Sequence, residues 1–157
     1  MKYAKRVIII LSVLLLTPVL CLALNDADAG TSDSLFNQAV QNIWPGDVIS
    51  SRAGKYPDIT VYESGSPDSI RLKSQKKILE LLKEVDVIRD KTGWTFTDLF
   101  IRIHTDLIDI YGNERVDEVI TIKFTPETLD KINYQNVLVK NIPLIADVWR
   151  EHPALNK

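Results

Sequence analysis

Apolar side chains recur at helical spacing in two segments of the chain, 35–43 and 66–91. The first segment ends at a Trp-Pro-Gly sequence, because proline cannot continue a helix and glycine favours a turn. The second begins with Ser-Pro-Asp, which provides a capping hydroxyl, a proline at the first helical position and an acid in the first turn. Its buried stripe is predicted to consist of Ile78, Leu81, Leu82, Val85 and Ile88. Both segments are therefore predicted to be helices. Residues 30–34, before the first helix, are predicted to be a flexible lead-in.

Alternation of apolar and polar residues predicts a strand over 116–125 and a shorter one over 58–63. The side chains of the longer strand that are expected to face the core are Ile120, Ile122 and Phe124. Thr-Pro-Glu at 125–127 repeats the capping pattern, so a short helix is predicted to follow as far as Ile132. A last helix is predicted over 143–152, and a His-Pro sequence ends it.

The segment 94–112 carries two conflicting signals. Its apolar residues share one helical stripe, and the opposite stripe includes Asp98, Arg102 and Asp106, which would form two opposite-charge pairs at i, i+4 spacing. Its β-branched and aromatic content favours a strand instead. Because periodicity is the primary signal, a helix over 97–111 is the favoured interpretation. The alternative is a strand that forms a long hairpin with 115–125.

Together these elements predict a small single-domain α+β fold, with about four or five helices packed on a small sheet. Residues 50–57 show neither the helical nor the strand periodicity of apolar residues and are predicted to form a loop. The chain has 157 residues, of which 45% are hydrophobic and 25% charged, and this composition is ordinary for one globular domain. A strand over 94–112 would make the same fold class richer in β-structure.

The N-terminus has the pattern of a secretory signal. Three basic residues lie within the first six positions, and an uncharged, mainly apolar run follows over 7–24. Ala27-Asp28-Ala29 has the A-x-A form of a cleavage site, which places the cut before Gly30, and a second possible cut lies before Leu24. The domain organisation is therefore predicted as a signal peptide over 1–29 and one exported domain over 30–157. An uncleaved membrane anchor is the alternative, since the run is near the length that spans a bilayer.

Removal of 1–29 would change the chemistry of the chain. It would leave 128 residues at a net charge of -3, because the segment holds three of the 19 basic and two of the 21 acidic residues. It would also remove Cys21, the one cysteine, so the exported domain would contain no disulfide. An exported domain without cysteine fits a bacterial envelope, and we expect a periplasmic or secreted location.

Candidate catalytic residues are sparse. The two histidines, His104 and His152, do not form a metal-binding motif such as H-E-x-x-H. On a helix His104 and Asp106 would point about 200° apart, whereas on a strand they would share a face. The sequence contains neither a G-x-S-x-G elbow nor a glycine-rich phosphate loop. We therefore predict no catalytic residue, no metal ligand and no cofactor. A small secreted hydrolase that uses His104 with a nearby carboxylate is the enzymatic alternative.

One charge cluster is unusual. Four basic residues crowd the first half of the 66–91 helix, where positive charge opposes the helix macrodipole: Arg71, Lys73, Lys76 and Lys77. A solvated face explains this cluster structurally, and a binding surface for an acidic partner explains it functionally. These four residues are the predicted binding site. The net charge of -2 and the lack of interleaved aromatic residues argue against a nucleic-acid partner.

The sequence thus favours an exported, non-enzymatic protein-binding module, such as an accessory, inhibitor or immunity-type protein. Its partner is expected to be a protein. Contact with a membrane is expected only if the N-terminal segment is retained as an anchor, which would make the protein a tethered envelope component.

Overall fold

The computed structural model describes residues 30–109 and 111–156. The predicted signal peptide over 1–29 lies outside the described residues. The elements are, in chain order, α1 (30–43), β1 (Val48–Arg52), β2 (Asp58–Tyr62), α2 (Pro67–Thr92), β3 (Leu99–Ile108), β4 (Glu114–Phe124), α3 (Pro126–Leu129), α4 (Ile142–Ile145) and β5 (Val148–Glu151). Two 3-10 helices, Val139–Asn141 and Pro153–Asn156, precede α4 and follow β5. The fold is a small single-domain α+β fold, as predicted.

The five strands form one mixed sheet in the order β1-β2-β3-β4-β5. Strand β2 runs parallel to β3, and the other three pairs are antiparallel. The parallel pair follows from helix α2, which connects β2 to β3, because parallel neighbours require a long crossover connection. Within the described residues, no helix is long and apolar enough to cross a membrane.

The core lies between one face of the sheet and the two long helices. Ile59, Ile101 and Ile122 are aligned across β2, β3 and β4, and all three are fully buried. They belong to one hydrophobic cluster with side chains of both helices, among them Phe36 of α1 and Ile78 of α2. Because side chains alternate along a strand, the residues between the buried ones lie on the opposite face. That face is polar and partly exposed to solvent.

The local capping patterns are confirmed. Ser66 caps α2 by accepting a hydrogen bond from the Ser69 N–H, and the helix ends at Gly93, whose φ of 68° lies in the left-handed region. Thr125 caps the short helix α3 in the same way, by accepting from the Thr128 N–H. The lead-in predicted at 30–34 is wrong, since these residues are helical in α1.

The favoured helix over 97–111 is also wrong, and the alternative hairpin is confirmed. Residues 99–108 form β3, which pairs with β4 in the predicted long hairpin. Arg102 forms no pair along a helix but contacts Asp58 on β2 and Glu118 on β4. The buried central strand satisfies these charges across the sheet, so tertiary pairing overrides the helical periodicity of the sequence.

Two further predictions at the sheet edges are corrected. The loop predicted over 50–57 contains the end of edge strand β1, and the helix predicted over 143–152 is a single turn, α4, followed by β5. Each edge strand has only one neighbour and shows no continuous buried face, so its sequence carries little alternation. Their strand conformation therefore depends on pairing with β2 and β4.

Candidate functional site

Strands β3 and β4 extend beyond the rest of the sheet. The pairing of β2 with β3 ends at His104, and the pairing of β5 with β4 ends at Ile120. Beyond these points β3 and β4 pair only with each other, from Thr105 opposite Asp117 to Ile108 opposite Glu114. We call residues 105–109 and 111–117 the arm. Its two strands therefore carry outer edges that no other strand of the described chain covers.

The arm exposes large apolar side chains to solvent. Tyr111 is 83% exposed, Ile108 is 68% exposed and Val116 is 57% exposed. Val116 pairs with Asp106, two residues before Ile108, so Val116 and Ile108 lie on the same face of the arm. Single exposed apolar residues are normal on protein surfaces, but a cluster on a projecting element is typical of an interaction site.

The turn at the end of the arm is held by Asp109. Its Oδ1 atom accepts hydrogen bonds from the Tyr111 N–H at 2.8 Å and the Asn113 N–H at 2.9 Å, and its Oδ2 atom accepts from Asn113 Nδ2 at 3.0 Å. The hydrogen bonds from the Asn113 side chain and backbone lower the pKa of Asp109 below its ordinary value. Gly112, at a φ of 84°, supplies the left-handed residue of the turn. Tyr111 therefore lies on a turn whose backbone N–H groups are hydrogen-bonded to Asp109.

The arm is negatively charged. It contains four acidic residues, Asp106, Asp109, Glu114 and Asp117, and one basic residue, Arg115. Arg115 is paired with Asp117 at 2.9 Å within the arm. The exposed apolar side chains therefore lie in a negative electrostatic field.

His104 lies at the base of the arm, on the polar face of the sheet. It is half-buried and in register with Tyr62 on one side and Glu118 on the other. His104 and Asp106 share this face, because 97–111 contains a strand and not a helix. Asp106, however, accepts a hydrogen bond from Tyr62 Oη at 2.5 Å, and this bond raises the pKa of Tyr62. Among the described residues, no group of three His, Cys, Asp or Glu side chains is arranged so that it could hold a metal ion.

The four basic residues predicted as a binding site do not form one surface. Lys77 Nζ contacts Glu63 Oε1 at 2.7 Å and lies 5.8 Å from the ring centroid of Trp44. Lys73 Nζ donates to the carbonyl oxygen of Ser64 at 3.0 Å. Both lysines therefore contact the segments before α2, on the β2 side of the helix.

Arg71 lies toward the opposite edge of the sheet. Its guanidinium donates to Glu151 Oε2 at 2.8 Å, to the carbonyl oxygen of Leu155 at 2.6 Å and to Asn156 Oδ1 at 2.7 Å. The hydrogen bond to Glu151 raises the pKa of Arg71 above its ordinary value. Lys76 is exposed. Three members of the predicted site thus contact groups of their own chain.

The arm was not predicted as a site, although the sequence contains two signals for it. The residues Asp109, Gly112 and Asn113 are typical of a turn, and the stretch 98–118 is rich in acids. Both signals depend on the strand interpretation, because a helix would place the same residues on a solvated face. Comparisons with protein-family models, with curated proteins and with solved structures found no match.

Proposed function

We propose that this protein is a small exported, non-enzymatic binding module that uses the arm to bind a partner protein. The observation that carries the proposal is Tyr111, which is 83% exposed on a hydrogen-bonded turn that projects beyond the sheet. An accessory, inhibitor or immunity-type role suits such a module, in a periplasmic or secreted location. The export part of the proposal rests on the signal pattern over 1–29.

The physical argument concerns the cost of binding. Tyrosine combines a large apolar ring with a hydroxyl, and aromatic anchors commonly dominate the binding energy of an interface. Asp109 already fixes the backbone on both sides of the turn, so little conformational entropy would be lost when Tyr111 enters a pocket. Ile108 and Val116 would extend the apolar contact along one face of the arm.

The charge of the arm specifies the kind of partner. Three net negative charges surround the apolar cluster, so the complementary surface is an apolar pocket with lysine or arginine residues at its rim. Glu114 lies beside Ile108 in the pairing of the arm and is exposed. Exposed charges of this kind mainly accelerate association, and salt screens their effect.

The test compares capture of a partner from envelope extract by the wild-type chain and by two matched tyrosine variants. Tyr111→Ala is expected to weaken binding at least tenfold, because it removes the anchor. Tyr56→Ala is the control, since Tyr56 is also exposed but lies in the β1–β2 connection. Glu114→Lys should slow association at low salt and leave binding at high salt nearly unchanged.

Two results would overturn the proposal. One is a partner that binds the Tyr111→Ala variant as tightly as the wild type. The other is loss of binding in Lys76→Glu with full binding in Tyr111→Ala, which would place the partner on the exposed surface of α2 around Lys76. Circular dichroism of each variant shows whether the fold is retained, so that a loss of binding is assigned to the altered surface.

A further inference from the structure

The connection between β4 and β5 is far longer than two neighbouring antiparallel strands require. Residues 125–147 separate them, whereas such strands are commonly joined by 2–5 residues. Long connections in compact domains are usually functional. This connection contains α3, a 3-10 helix and α4, and it lines an open cavity of about 490 Å³ at the protein surface. The volume lies in the range of small-molecule sites.

The lining of this cavity is amphipathic. Its apolar members are Ile132, Val137 and Ile145, all partly buried against the core. Its polar members are Thr128, Lys131, Asn133 and Asn136. A ligand that fits this lining has an aliphatic part and a polar head.

The walls of the cavity are held by the fold. Leu129 and Ile142 are buried in the core at either side of the connection. Asp147 joins the two ends, because its carboxylate accepts from the Thr125 N–H at 2.6 Å and from Thr128 Oγ1 at 2.8 Å. The cavity is therefore formed before any ligand binds, which reduces the entropic cost of binding.

The charge of the lining selects the polar head. Lys131 is the one charged residue among the lining residues, and it forms no ion pair with the described part of the chain. The neighbouring carboxylate of Asp130 is paired with Arg89 at 2.8 Å, and Asp147 is occupied by the two threonines. Asn133 Oδ1 accepts from the Gln135 N–H, which leaves its amide nitrogen as a donor. The polar groups at this cavity therefore favour an anionic head that accepts hydrogen bonds.

A second cavity, of about 570 Å³, lies beside the start of α1, and its lining includes both Asp33 and Lys55. These opposite charges select no ligand class. The cavity in the β4–β5 connection, by contrast, has one cation and an aliphatic floor. We infer that it binds a small amphipathic carboxylate, with the alkyl chain on Ile132, Val137 and Ile145 and the carboxylate at Lys131.

The test uses octanoate as the probe and octan-1-ol as its uncharged analogue. The full chain is expressed with isotopic labels and purified in the form that the cells produce. Each probe is titrated into this protein, and the chemical shifts of the backbone amides are followed by NMR. We expect octanoate to shift residues 128–137 and 145 and to bind at least tenfold more tightly than octan-1-ol. Lys131→Met should remove that preference. The matched control Lys140→Met changes an exposed lysine of the same connection that does not line the cavity, and it should bind as the wild type does.

Four outcomes would overturn this inference. Equal affinity for octanoate and octan-1-ol would show that the head is not recognised as an anion. Shifts confined to other residues, or no saturable shift in the millimolar range, would show that this cavity is not the site. An unchanged preference in Lys131→Met, with the NMR spectrum of a folded protein, would remove Lys131 from it. None of these outcomes bears on binding through the arm, so the two proposals fail independently.

Discussion

At the scale of single residues, two hydroxyl groups are buried in an unfavourable way. Ser74 Oγ in α2 and Tyr134 Oη are buried, and neither has a hydrogen-bond partner among the described residues. Burial, followed by the nearby charge of Asp86, raises the pKa of Tyr134. A buried polar group without a partner costs about 1–3 kcal/mol. These positions are therefore open to improvement by substitution.

Replacement of Ser74 by alanine is expected to stabilise the protein. The side chain is fully buried, and the substitution removes an unpaired hydroxyl and introduces the residue with the highest helix propensity. The free energy of unfolding, measured by urea denaturation, should rise by about 1 kcal/mol. Ser66→Ala makes the same chemical change at the cap of the same helix and should lower it by about 1 kcal/mol. A destabilised Ser74→Ala variant would contradict the assignment.

One member of the basic cluster, Lys77, has a structural role at this scale. Glu63 is buried, and its Oε1 atom accepts from Trp44 Nε1 at 3.0 Å and from Lys77 Nζ at 2.7 Å. A buried carboxylate requires such partners, because desolvation of an unpaired charge is very costly. Lys77 therefore stabilises Glu63, and this contact gives the lysine a structural role. Nothing in the sequence near Lys77 identifies Glu63 as its partner.

At the scale of elements, the β4–β5 connection depends on one carboxylate. Partial desolvation of the Asp147 carboxylate acts to raise its pKa, but hydrogen bonds from Thr128 and Thr125 together hold the pKa below its ordinary value. A carboxylate whose pKa is lower in the folded state stabilises the fold above the unfolded-state pKa, which is about 3.9. That contribution is lost as the pH falls through the lower, folded-state pKa.

The variant Asp147→Asn should therefore have a lower free energy of unfolding at pH 7. Its free energy of unfolding should also change less than that of the wild type as the pH falls. We expect a loss of about 1 kcal/mol at pH 7, a modest value because Asp147 is exposed and its charge is screened by solvent. Urea denaturation between pH 7 and pH 2.5 measures both effects. Glu127→Gln, in the same connection, should retain the wild-type slope below pH 5. If the wild type and Asp147→Asn lost stability in parallel on acidification, Asp147 would not be the group responsible.

The elements also show which parts of the fold the sequence could predict. The starts of α2 and α3 were predicted because their caps, Ser66 and Thr125, bond within three residues along the chain. The end of α3 was predicted too late, since the helix ends at Leu129 and not at Ile132. Strand β4 was predicted because one of its faces is buried and the other is not. Strand β3 was not the favoured prediction, because its charged residues find their partners on β2 and β4. The arm was missed for the same reason, since its exposed edges exist only once β3 is a strand.

At the scale of the whole molecule, side chains of α2 form ion pairs at two separate places on the sheet, the end of β2 and strand β5. Lys77 binds Glu63 at the end of β2, and Arg71 binds Glu151 in the edge strand β5. Arg71 also holds the C-terminal 3-10 helix through Leu155 and Asn156. One helix thus connects the second strand of the sheet to the last.

The planar guanidinium group of Arg71 is expected to contribute more to stability than its positive charge does. Arg71→Lys keeps the charge but cannot reach Glu151, Leu155 and Asn156 together, since an ammonium lacks the planar fork of a guanidinium. We expect a loss of about 1–3 kcal/mol in the free energy of unfolding, and faster amide hydrogen exchange at 151–156. Arg52→Lys, on exposed strand β1, is the matched control and should leave both quantities unchanged. Unchanged exchange at 151–156 in Arg71→Lys would show that this residue does not hold the C-terminus.

The sequence by itself determined the α+β class, the long helix α2, the short helix α3 and the inward residues of β4. These features depend on caps and periodicity, which act between residues close together in the chain. Only the tertiary structure decided that 99–108 is a strand, that the basic residues of α2 contact Glu63 and Glu151, and that the arm projects from the sheet. Each of these depends on a partner distant in sequence, and local patterns hold no information about which partner the fold will supply.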